Sequence, residues 1–74
     1  MSDMSTRWPQ LYREAILESD RDVLPSRIKL AQRAIRERVH ELWYAASPET
    51  RERHDLDAAA RFLGLLEVRH RRPQ

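Results

Sequence analysis

The segment DVLPSRIKLAQRAIRERVHELWYAA, residues 22–46, constrains the fold more than any other part of the chain. Leu24, Ile28, Ala31, Ile35, Val39, Leu42 and Ala46 recur at three- and four-residue steps, and at 100° per residue they fall within an arc of roughly 80°. So long and narrow a stripe predicts one helix over 22–46 with an apolar seam. Pro25 stands in its first turn, where a missing N–H has no intrahelical partner, and Asp22 stands where a carboxylate can cap the free N–H groups. Leu30 and Ala34 flank the seam on one side and Trp43 on the other. Everything else in the chain has to pack against this rod.

Two further helices are predicted. Residues 1–5 and 73–74 carry no pattern and are expected to lie outside the ordered domain. Thr6 is placed to cap a short helix over about 6–19, with Pro9 in its first turn and Trp8, Leu11, Tyr12, Ala15 and Ile16 along one face. At about 13 residues such a helix is marginal alone in water, so it needs the long helix to lie on. Ser19, Asp20 and Asp22 around Arg21 form a polar break that predicts a tight turn. After the long helix, Ser47-Pro48-Glu49 supplies a capping serine, a proline for the first helical position and an acid for the positive end of the helix dipole. The third helix is therefore expected over 48–71. Glu49/Arg53, Asp57/Arg61 and Glu67/Arg71 set acid before base at four-residue spacing on a solvated face. Its apolar residues Leu56, Ala58, Ala59, Ala60, Phe62, Leu63, Leu65 and Leu66 cover about 220°, more than one neighbouring helix can bury. Gly64 lies inside this run at a cost of about 1 kcal/mol relative to alanine, which predicts a close backbone approach or a local break.

The short connection around Ser47 makes the second and third helices an antiparallel hairpin roughly 35 Å long by the helical rise. Residues equidistant from that connection then face each other, Ile35 with Ala60, and Ala31 with Leu63 or Gly64. At 74 residues the chain is one small all-α domain, in a size range where a single core supplies only a few kcal/mol. It has no cysteine, so disulfides and thiolate metal sites are excluded as staples. Self-association is the remaining support: a homodimer resembling a four-helix bundle, with the first helix as an accessory and Trp43, Ala58, Phe62, Leu65 and Leu66 as its interface or that of another protein partner. No apolar run is long enough to span a bilayer, and MSDMSTR lacks the apolar core of a secretory signal, so a cytoplasmic location is expected and no membrane partner.

The pattern Trp8, Leu11-Tyr12, Ala15, Glu18, Asp20, Leu24, Arg27-Ile28, Ala31, Ala34-Ile35, Arg38, Glu41-Leu42 resembles small bacterial orphan proteins built as a helical hairpin. The resemblance covers more than half of the chain, implies the hairpin, and carries no activity with it.

Three constellations of residues bear on chemistry. Glu37 with His40 and Glu67 with His70 form two Glu-x-x-His pairs, the spacing with which di-metal bundles aim two ligands inward. Glu37 and His40, however, point about 140° to 200° away from the apolar seam, and the second pair lies at a helix end, so no metal and no cofactor is expected. Lys29, Arg33, Arg36 and His40 line the outer face of the long helix, and Arg69, Arg71 and Arg72 lie near the end of the chain, which gives an alternative role in binding nucleic acid. Fourteen basic against twelve acidic residues leave a net charge of only +2, and Glu37 and Glu41 blunt the stripe. Ala60 and Gly64 match the core of a helix-turn-helix, but Pro73 stands where the reading helix needs an apolar anchor. The aromatic residues Trp8, Tyr12, Trp43, Tyr44 and Phe62 are expected to be packed within the chain or across a dimer, with a site for another protein or a small ligand as the alternative; Trp43 and Tyr44 cannot both be buried against one neighbour, so one ring is expected to be a dimer contact or an exposed binding patch. An enzyme is not expected, because no nucleophile has a base and an orienting group at usable spacing and no glycine loop cradles a phosphate.

Overall fold

The computed structural model describes residues 6–45 and 50–71, which form three helices: α1 (Trp8–Leu17), α2 (Leu24–Ala45) and α3 (Thr50–Arg71). Among the described residues there is no strand. The helices fall where the periodicity places them, with α1 shorter at both ends and α2 starting two residues later. α1 is 10 residues long rather than spanning 6–19, with Arg7 at the N-cap position and no side-chain cap hydrogen bond. Pro9 sits in its first turn, as expected. The chain leaves α1 at Glu18, whose extended backbone (φ −70°, ψ 124°) ends the helical path two residues early. The Ser47-Pro48-Glu49 boundary lies outside the described residues.

Asp20 organises the entry into α2. Its Oδ1 accepts a hydrogen bond from the Asp22 N–H at 2.9 Å, and its carbonyl accepts from Val23 at 3.1 Å and Leu24 at 2.9 Å. Asp20 thus caps the turn over residues 21–23 that leads into α2, with the Asp22 N–H as donor to its carboxylate. Replacing Asp20 by alanine is expected to lower stability by about 1 kcal/mol in urea unfolding, whereas Asp22→Ala should change it by less than half as much.

The core consists of Trp8 and Ala15 from α1, Ile28, Ala31, Ala34, Ile35 and Leu42 from α2, and Leu56, Ala59 and Leu63 from α3, with Leu11, Tyr12, Leu24 and Leu66 packed around it. The α2 seam is thus rotated from its expected position. Ala34, expected at its flank, is fully buried, and Val39, expected within it, is 48% exposed. The reason is α1, which packs chiefly on α2 and also touches α3. It draws the buried arc of α2 toward Ala34 and away from Val39. The first helix is therefore part of the core rather than an accessory.

Arg38 in the second half of α2 bonds Glu52 near the start of α3, while Leu24 at the start of α2 lines one depression with Leu66 and Arg69 near the end of α3. Ile35 and Ala60 line another together. By the helical rise α1 is about 15 Å long, against about 33 Å for α2 or α3. It covers less than half of the groove on its own side and none of the other.

Gly64 makes no close backbone approach among the described residues. A Cβ built on it would meet nothing within 4 Å, and α3 runs through it unbroken. Gly64→Ala is therefore expected to stabilise the fold by about 1 kcal/mol, read as a rise in thermal midpoint of several degrees.

Candidate functional site

Two arginines on one shoulder of α2 tie the three helices together. Arg38 donates from Nε and Nη2 to the two carboxylate oxygens of Glu52 at 2.8 and 3.0 Å, a bidentate pair, and from Nη1 to Glu41 at 3.2 Å. The Trp8 indole N–H donates to the same Glu52 Oε2 at 3.1 Å. One carboxylate on α3 therefore anchors α2 and α1 at once. Three turns earlier on α2, Arg27 donates to Glu18 at 3.0 Å and to Glu14 of α1 at 3.2 Å. Helical geometry explains the division: residues 27 and 38 lie within about 20° of each other on the edge of the seam that faces α1.

The electrostatics of the first cluster are those of a fixed ion pair. The hydrogen bonds from Arg38 hold the Glu52 carboxylate below its usual range, against the desolvation that opposes them, and the Trp8 N–H adds to the effect. The hydrogen bond to Glu52 likewise raises Arg38 above its ordinary value. Both groups stay charged around neutral pH and neither is poised to exchange a proton, so the cluster is suited to holding helices in register. Sequence reasoning missed it. The available signal was an arginine at the margin of an apolar seam, but nothing local pairs Arg38 with a glutamate in another helix or with Trp8.

The aromatic and apolar residues singled out from the sequence do not share one surface. Ala58 lines a depression with Trp8, Tyr12 and Ile16, and the Phe62 ring meets Tyr12 edge-on at 6.2 Å, so these belong to the α1–α3 side. Leu65 is 65% exposed farther round α3, and Leu66 is half-buried against the core. Trp43 lies one turn beyond Val39 on the opposite side of the α2–α3 pair. Within a single chain neither Trp43 nor Tyr44 is buried: they are 72% and 75% exposed. Both lie past the start of α1, where that helix has no residue to lay over them. Tyr44 lies instead against His40 of the preceding turn, with ring centroids 4.7 Å apart and planes tilted by 58°.

The basic residues Lys29, Arg33 and Arg36 are all exposed on α2, as is Arg69 on α3. Arg33 lies 3.9 Å from Glu37, so the stripe is partly offset by its own helix. Asp57 and Arg61 form the expected four-residue pair at 3.3 Å. The side chain of Arg71, and Arg72 altogether, lie outside the described residues. Glu37 and His40 share the outer face of α2 with Arg36 and Glu41, as their angle predicts. Among the described residues no group of three or more histidine, aspartate or glutamate side chains could hold a metal ion.

No protein-family model, curated protein or solved structure matches this chain. The functional reading therefore rests on its own surfaces. Among the described residues, no helix is long and apolar enough to cross a membrane.

Proposed function

We propose that the protein is a small helical interaction module of the cytoplasm whose working form is a homodimer. In this reading α2 and α3 form an antiparallel hairpin, and two hairpins pair into a bundle with α1 built into each. The observation that carries it is apolar surface left in water: Val39, Trp43 and Tyr44 on α2 and Phe62, Leu65 and Val68 on α3 are all exposed. Val39 borders an open apolar depression with Ile35, Leu56 and Ala60, and on so small a domain an apolar surface of that kind supports reading it as an interaction face. A partner helix pair supplies what a 10-residue α1 cannot, namely cover along the full length of two 22-residue helices.

Sedimentation across a concentration series tests it. The expected result is a mass rising from one chain toward two with helicity unchanged. A fully helical single chain at every concentration reached would reject the reading.

A second reading has its own observation. Lys29, Arg33, Arg36 and His40 form an exposed ridge that ends at the two bare rings of Trp43 and Tyr44, and cations beside exposed aromatics suit a single-stranded nucleic acid. Replacing Lys29, Arg33 and Arg36 together by glutamine should then weaken binding and reduce its salt dependence. The absence of wild-type binding to single-stranded or duplex nucleic acid at low salt would dismiss this second reading alone.

A further inference from the structure

The side of the α2–α3 pair turned away from α1 carries a continuous open groove. Two depressions of about 510 Å³ each meet there, sharing Ile35, Val39 and Ala60. The first extends to Arg53, His54 and Asp57, the second to Gln32, Arg36 and Glu67. From Arg53 to Glu67 the groove follows α3 for about 21 Å, the length of four helical turns. Its floor is apolar, with Ile35 and Leu56 buried beneath it, and its α3 wall is low because Ala60 carries only a methyl group. A helix fits such a trough.

We propose that the occupant is α3 of a second copy of this chain, crossing antiparallel on a two-fold axis at Ala60. The proposal rests on the homodimer reading above and adds its surface and register. Charge complementarity selects the occupant. Arg53 and Glu67 lie equally far from Ala60 on one strip of α3, with opposite signs at the two ends. An antiparallel copy centred on Ala60 sets Arg53 of each chain against Glu67 of the other, twice by symmetry. A parallel copy would set like charge against like at both ends, which disfavours that orientation. Val39, which lines the α2 side of the groove, then rests on the incoming helix and leaves water.

The test uses the full chain and sedimentation velocity. Ala60→Arg fills the trough from an exposed position, so it is expected to give a single chain of unchanged helicity, whereas Phe62→Asp on the α1–α3 side leaves the dimer in place. Arg53→Glu and Glu67→Arg alone should each weaken association about tenfold, since each replaces two attractions by two repulsions. Mixing the two single variants should restore it, because every facing pair in the mixed dimer is again opposite in sign. No effect confined to one chain produces that rescue. A dimer that survives Ala60→Arg but is dissociated by Phe62→Asp would overturn the groove while leaving self-association intact. Failure of the mixed variants to associate better than either alone would overturn the two-fold register. A wild type that never associates would remove the parent reading as well.

Discussion

Leu63→Ala is expected to destabilise the protein by about 2–5 kcal/mol, enough to leave much of the chain unfolded at room temperature. Leu63 is completely buried in α3, among the few large side chains with no exposure at all. Its truncation removes apolar transfer energy and leaves a cavity that three short helices cannot close without moving their axes. Leu65, two residues on, is the control. The same substitution there is expected to change stability by less than about 0.5 kcal/mol, because that side chain already lies in water. Urea unfolding followed by circular dichroism reads both. Equal losses at the two positions would mean that the face of α3 is misassigned.

The second large effect is expected at the Arg38–Glu52–Trp8 cluster. Arg38→Ala should cost about 2 kcal/mol, because it strips a half-buried carboxylate of its bidentate partner and leaves only the Trp8 N–H. Both charged side chains keep about a quarter of their surface in water, 27% for Arg38 and 24% for Glu52, so water replaces part of what is lost. The pH dependence has a definite sign. Glu52 binds its proton less readily folded than unfolded, so its contribution is complete above the ordinary glutamate range, near pH 4.3, and is lost as pH falls through its lower folded value. Glu52→Gln should therefore lower stability at neutral pH and approach the wild type on acidification below about pH 4. Arg38 is shifted upward and stays charged throughout the accessible range, so it adds no slope. Parallel curves for the two proteins across that window would show that the ion pair contributes nothing to stability.

These two residues mark how far the sequence could be read. The heptad-like recurrence from Leu24 to Leu42 is a local property of the chain, and it placed α2 to within two residues at its start. The same holds for α1, and for the Asp57–Arg61 pair, whose partners are one turn apart. The outward direction of Glu37 and His40 also followed from angle alone. What periodicity could not supply is the rotation of α2 about its own axis. An arc of 80° names a seam, but Ala34 or Val39 becomes buried according to where α1 lands, and that is a contact between distant segments. The Trp8–Glu52 hydrogen bond joins residues 44 positions apart, beyond any local signal.

Helix number and helix placement were thus determined by the sequence itself, because both depend on spacing within a few turns. Which flank of α2 is buried, which two arginines become clamps, and that neither Trp43 nor Tyr44 is covered within one chain were decided only by the tertiary structure. The physical reason is the length of α1: a 10-residue helix laid along one side of two 22-residue helices selects which side chains lose their water, and no single helix encodes that choice.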